Sequence, residues 1–334
     1  MNDVDEWVKI AIIGLGKMGL LHTSLLSALP SVKLVALCDK SGLIRKICRR
    51  LFRGVFITDD VEQLAGLSLD AVYITTPIPS HFFIAKTIYS KGIARNLFVE
   101  KTLAANYDGA KKMCELAHVS GGVNMVGYMK RFAVTFNKAK ELLDEEVLGD
   151  LVSFDAYAYS SDFVDVKEGS VSASRGGVLG DLGSHVVDLA LWLFGDLKVD
   201  SARLKSLGSL GAEDFASFRV SNSHGLQGQF DVSWCKKGFR MPESGLVIHG
   251  EKGKIMVNDD ELRFELVNGE SRRWYRHDLN DSVGFLLGAP EYFREDEYFI
   301  ESVLNGCNAE PDFFTASKVD YLIDQVKEKA EKNE

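Results

Sequence analysis

Paired cysteines, a surplus of basic residues and a long apolar run are all missing from this sequence. Its five cysteines, at 38, 48, 114, 235 and 307, lie far apart and form no CxxC pair. That pattern excludes a disulfide framework and a structural zinc site, and it favours a reducing compartment. No metal centre is expected. With 39 Lys and Arg against 48 Asp and Glu, the net charge is −9, which argues against nonspecific nucleic-acid binding. The densest basic run, RKICRR (45–50), reads as one face of a surface helix. No uncharged apolar stretch is long enough to span a bilayer. The acidic start, MNDVDEWVK, runs straight into a strand and is not a signal peptide. The expected address is the cytoplasm, with neither membrane nor nucleic acid as partner.

What remains is an ordinary globular composition, 46% apolar and 26% charged. A chain of 334 residues exceeds one ordinary core and suggests two domains. Residues 1–127 alternate apolar runs with segments of helical period: VKIAIIG (8–14), KLVALCD (33–39), VFIT (55–58), DAVYITTP (70–77), NLFVEK (96–101) and VNMVGYM (123–129). Near-continuous apolar strands between helices indicate a parallel sheet covered on both faces, so this half reads as a Rossmann, doubly wound α/β domain. PSHFFIAKTIYSKG reads as a helix stopping at Gly92. After Gly127 the texture changes. RFAVTFNKAKELLDEEVLG (131–149) reads as one helix ending at Gly149. From about 199 the chain is mostly strand, with hairpin signals at His224-Gly225 and Asn268-Gly269. Residues 128–334 are therefore expected to form an α+β domain on a large open, mostly antiparallel sheet, with TASKVDYLIDQVKEKAEK (315–332) as a final amphipathic helix.

GLGKMG (14–19) matches GxGxxG, which alone is weak, but here it follows a strand and opens a helix. In that context Gly14 permits a tight turn, Gly16 lets backbone approach a pyrophosphate, and Gly19 allows close helix–strand packing. Lys17 and Met18 complete the turn, and the helix start offers unsatisfied N–H groups to phosphate. Asp39 ends the second strand, placed to accept hydrogen bonds from an adenosine ribose. A carboxylate there repels a 2′-phosphate, so NAD is expected, and NADP becomes possible if Asp39 turns away and the nearby Lys40 and Arg45 blunt that preference. Two further strand ends face the same crevice. TTPIPSH (75–81) offers Thr75, Thr76 and Pro77 as a wall, and VEKT (99–102) offers Glu100 and Lys101. His81 begins a helix, either as a capping or surface residue or as a cofactor contact. Lys101 is either a surface lysine or a functional ammonium.

The stretch RGGVLGDLGSH (175–185) places four glycines, Asp181 and His185 before the apolar run VVDLALWLFG. Asp181 and His185 are four apart, one turn on one helix face, and Asp188 continues that face. Asp181 reads either as an N-cap or as a partner of His185, and the glycines as places where backbone approaches a bound molecule. Oxidising an alcohol with NAD needs a base for the hydroxyl proton, and an imidazole suits that work. A lysine can hold the same oxygen and a carboxylate can orient the imidazole. Lys101, Asp181 and His185 supply those three groups.

The combination of GxGxxG, TP…H, EK and GG…DxGxH…D resembles the Gfo/Idh/MocA family of NAD(P)-dependent oxidoreductases over nearly the whole chain. The resemblance implies an N-terminal Rossmann domain, a C-terminal domain on an open sheet, and Lys101, Asp181 and His185 as the active site. It also implies Arg131, in GYMKRF, as a substrate contact. The family's usual EKP is EKT here, and losing the proline at Thr102 is expected to loosen the placement of Lys101. The function implied is NAD-dependent oxidation of a secondary hydroxyl on a sugar, polyol or sugar nucleotide, so the partner is a small carbohydrate. Family members also include redox-assisted glycosidases and dinucleotide-sensing regulators. The first would cause no net change in NADH, and the second needs none of the proton chemistry of the three residues. By the same resemblance the open sheet is expected to be buried against a second copy, giving a homodimer or homotetramer.

Overall fold

A computed structural model of the chain describes residues 7–164, 176–206, 212–239, 241–284 and 289–332. Residues 1–6 of the acidic start and Arg175, which opens the glycine-rich stretch, lie outside them. The chain forms two compact units, Met1–Met129 with Tyr292–Asp320, and Lys130–Glu291 with Tyr321–Glu334. The division therefore falls at Met129/Lys130 rather than 127/128. The segment Tyr292–Asp320, expected in the second domain, belongs to the first.

In the first unit six strands, β1 (Val8–Ile13), β2 (Val32–Cys38), β3 (Phe56–Thr58), β4 (Ala71–Ile74), β5 (Asn96–Glu100) and β6 (Asn124–Gly127), lie in the order β3-β2-β1-β4-β5-β6. Every neighbouring pair is parallel. Helices α1 (Lys17–Leu26), α2 (Gly42–Leu51), α3 (His81–Ser90) and α4 (Tyr107–Ser120) follow β1, β2, β4 and β5. Every residue of β4 and β5 is buried, as a sheet covered on both faces requires. The strand order reverses between β1 and β4, where connections leave in opposite directions and the carboxyl ends part into a crevice.

The second unit begins at Lys130, inside a 3₁₀ turn at Met129–Phe132, and continues with α5 (Val134–Asp144), so the helix expected over 131–149 is shorter at both ends. Gly149, at φ 66°, ends the turn beyond it and not the helix itself. Then come β7 (Leu151–Tyr159), α6 (Ser184–Phe194), β8 (Lys198–Lys205), β9 (Phe215–Ser221), β10 (Gln227–Ser233), β11 (Glu243–Gly250), β12 (Gly253–Asn258), β13 (Glu261–Leu266) and β14 (Ser271–Tyr275). They form an eight-stranded sheet, β14-β13-β12-β11-β7-β10-β9-β8. Only the central β7–β10 pair is parallel. Both hairpin signals are realised, joining β9 to β10 and β13 to β14. The last two helices are α7 (Pro290–Asn305) and α8 (Phe313–Glu331).

Period-2 alternation decides the two faces of this sheet. Phe154, Phe218 and Phe230 are buried on the face against which α6 packs. Asp155, Tyr157, Arg219 and Gln229 alternate with them on the other. The Phe154 ring lies across Gly228, its register partner, where an added Cβ would stand 2.2 Å from the ring. Gly228 is therefore fixed by sheet packing. Replacing it with alanine should force the ring aside and cost about 1–3 kcal/mol, measured as a fall in urea midpoint at unchanged m-value.

Candidate cofactor and active site

The crevice of the first unit is a cleft of about 1030 Å³. Gly14, Gly16, Lys17 and Met18 line it from the end of β1, Asp39 from β2, and Thr75, Thr76 and Pro77 from β4. The three glycines differ in function. An added Cβ on Gly14, at φ 93°, would meet Thr76 at 2.6 Å, and one on Gly19 would meet the Gly14 carbonyl at 1.8 Å. Nothing stands within 4 Å of a Cβ on Gly16, so a ligand can close on backbone there. Gly16 caps α1 without a side-chain hydrogen bond, leaving the helix start to a phosphate. Thr75 Oγ1 donates to the Gly14 carbonyl at 2.6 Å and holds the turn against β4. These residues fit a dinucleotide.

Asp39 does not turn away. Its carboxylate accepts the Leu15 N–H at 2.6 Å and the Ser41 N–H at 2.7 Å. Arg45 donates to the Asp39 carbonyl and pairs with Asp59 at 2.8 Å, while Lys40 lines the cleft. The ribose end is thus acidic and fixed, which favours NAD.

Two expected cofactor residues do other work. His81 is fully buried, with Nε2 2.8 Å from the Thr76 carbonyl and Nδ1 3.0 Å from the Thr102 carbonyl. It is therefore neither a cap nor a surface residue. Burial holds its pKa below the ordinary value, with the carbonyls pulling the other way. His81 therefore packs between Thr76, on the cleft wall, and the residue after Lys101, and its neutral ring donates to one of the two carbonyls. Glu100 is buried beneath the end of β5, where it accepts the Lys101 N–H at 3.1 Å and faces His22 Nε2 at 2.9 Å. Thr102 is buried, and its hydroxyl donates to the Ala104 carbonyl at 3.1 Å. Thr102 is thus held on both sides, contrary to the loosening expected where the proline is missing.

Sequence reasoning missed His22 and Asp296. His22 Nδ1 lies 2.8 Å from Asp296 Oδ1 on α7, within the same unit, and both side chains are fully buried. Tyr73, Phe98 and Tyr292 surround the imidazole. Both ring nitrogens face carboxylates, so only the imidazolium can donate to both. Burial opposes that charge, but Asp296 and then Glu100 outweigh it and raise the His22 pKa well above the ordinary 6.5. A polar residue on the buried face of α1, in LLHTSLLSAL, was the available signal.

In the second unit Asp181 lies in a π-helical turn, Leu179–Gly183, that runs into α6. Asp181 is not an N-cap. The carboxylate at this helix start is that of Glu213, which accepts the Leu179 N–H at 3.2 Å. A Cβ on Gly177 would meet Glu213 at 2.1 Å, and one on Gly183 would meet Leu179 at 3.1 Å. Those two glycines serve protein packing rather than a ligand. His185 is buried in the first turn of α6. Arg131 is committed to Asp188: Nε donates to Oδ2 at 2.9 Å and Nη2 to Oδ1 at 2.7 Å, with both side chains buried. Its fork therefore anchors α6, and that is a different use from the substrate contact expected of it.

Residues 8–128 match the family model described as oxidoreductase family, NAD-binding Rossmann fold, and residues 136–256 match the GFO/IDH/MocA C-terminal domain. The chain is 24% identical over 314 residues to the inositol 2-dehydrogenase of Rhizobium meliloti (strain 1021), with 91% of each covered. It is 27% identical over 199 residues to the scyllo-inositol 2-dehydrogenase (NAD(+)) of Bacillus subtilis (strain 168), covering 58% of this chain and 55% of that one. It thus spans about half the length of that relative. A solved levoglucosan dehydrogenase, in complex with NADH and levoglucosan, is similar in fold at a TM-score of 0.86 and 21% identity, over 98% of both chains.

The His22 charge has a pH signature. A pKa raised on folding contributes stability that is complete below the unfolded value, near 6.5, and is lost as pH rises through the folded value. Stability should therefore fall progressively over the pH range that opens above about 6.5. The neutral double variant His22→Gln/Asp296→Asn should be flatter over that window. His22→Gln alone leaves buried carboxylates facing an amide and should cost about 3–5 kcal/mol. Urea denaturation across pH reads all three.

Proposed function

Because the chain belongs to the Gfo/Idh/MocA family of oxidoreductases, we propose that it is an NAD-dependent dehydrogenase oxidising a secondary hydroxyl of a polyol such as an inositol, a sugar or a sugar nucleotide. The observation that carries this reading is the cleft itself, where the open backbone at Gly16, the turn at Gly14 and the fixed Asp39 carboxylate fit a dinucleotide. The relatives act on such compounds by their names, inositols in two cases and levoglucosan in the third.

When bound, the nicotinamide supplies the acceptor for the hydride leaving the carbinol carbon. In this reading His185 takes the hydroxyl proton, a transfer that contributes typically 10²–10⁴-fold when a positioned base performs it. Asp181 orients the imidazole. Lys101 Nζ holds the reacting oxygen and stabilises the negative charge that grows on it as the proton leaves. Arg131 acts one step back, through Asp188, by fixing the helix on which His185 sits. The assembly that accompanies this reading is a homodimer or homotetramer through the outer face of the eight-stranded sheet.

Incubation with NAD and a panel of inositols, sugars and sugar nucleotides, followed by NADH absorbance, tests the proposal. The parent should form NADH. His185→Ala and Lys101→Ala should lower kcat by about 10²-fold or more while binding NADH normally. Sugar release from a glycoside without net NADH, or tight NAD binding with no turnover on any substrate, would overturn the reading.

A further inference from the structure

The ribose end of the cleft carries more acid than Asp39 alone. Asp59 and Asp60 follow β3 and line the cleft with it. Their carboxylates have different uses. Both oxygens of Asp39 accept backbone N–H groups. Asp60 accepts the Glu62 N–H at 2.9 Å and caps a 3₁₀ turn. Asp59, 56% exposed, pairs with Arg45, which is 16% exposed. The second contact of Arg45 is the carbonyl of Asp39 itself, 2.7 Å from Nη1. A guanidinium therefore lies beside the backbone of the residue whose carboxylate faces the ribose.

We infer that Asp59 is a second determinant of NAD over NADP, because it holds Arg45, a guanidinium against the Asp39 carbonyl that would have to leave Asp59 to reach a ribose 2′-phosphate. A phosphomonoester carries between one and two negative charges at neutral pH and pairs best with an arginine fork. To serve it, Arg45 must leave Asp59, and the phosphate must then settle among carboxylates. The same groups act on Cys38, whose thiol is pushed up to about 12 by burial first and then by Asp39, Asp60 and Asp59, with Arg45 pulling the other way. An ion pair this exposed adds little to stability. Its effect belongs to the choice of ligand, through whether Arg45 is engaged by Asp59 or released to a phosphate.

The test is binding of NADH and NADPH, read by fluorescence titration at fixed low salt, and it needs no substrate. Asp59→Asn changes one exposed loop residue and keeps its shape. It should lower the ratio of Kd for NADPH to Kd for NADH about tenfold, with Kd for NADH moving less than about twofold. Adding Arg45→Ala to that variant should restore the parent ratio. An unchanged ratio in Asp59→Asn would overturn the inference. A gain that survives the loss of Arg45 would overturn it too, since the effect would then be lost repulsion alone.

Discussion

A buried positive charge between two carboxylates governs the first unit. His22 stands on the helix that opens the cofactor cleft, Glu100 ends β5, and Asp296 comes from α7, far along the chain. Removing three ionisable groups from water is costly, and only mutual pairing offsets that cost. The arrangement therefore tolerates little displacement. It holds α1 against the end of β5, and the second Glu100 oxygen fixes the Lys101 N–H. His81 is buried on the other side, between the carbonyls of Thr76 and Thr102. Two buried histidines, shifted in opposite directions, thus flank the three residues around the lysine.

The same economy recurs in the second unit. Arg131 and Asp188 are buried together, and the fork fixes the helix that carries His185. Glu213 receives the start of that helix, which leaves Asp181 uncommitted to capping. In both units the groups proposed for chemistry are held by neighbours that do none of it. Positioning of this kind matters because a misplacement of about 1 Å at a reacting group can cost about 10²-fold in rate.

Much of this was legible in the sequence. The parallel strands announce themselves as continuous apolar runs, and GLGKMG with Asp39 in register marks the cleft, because each rests on local periodicity or spacing. What was not legible depends on partners distant in the chain. An amphipathic helix such as α7 reads the same whichever core receives its apolar face, so Tyr292–Asp320 looked like part of the second domain. Asp296, inside EYFREDEYF, reads as one more solvated acid until His22 is found opposite it. Arg131 looked available to a substrate because nothing local shows that Asp188 waits 57 positions on. The glycines of 176–183 suggested a ligand approach, whereas Gly177 makes room for the Glu213 carboxylate. Thr102 suggested a loose loop, since its hydroxyl contact and the His81 packing lie outside any local rule.

The protonation state of His22 is the most direct test of the clamp on which the rest depends. Nitrogen-15 NMR of histidine-labelled protein, assigned by the His22→Gln variant, should show both His22 ring nitrogens bearing protons at neutral pH and above it. A neutral His22 ring at pH 7 would contradict the account, because a single N–H cannot hold Glu100 and Asp296 together.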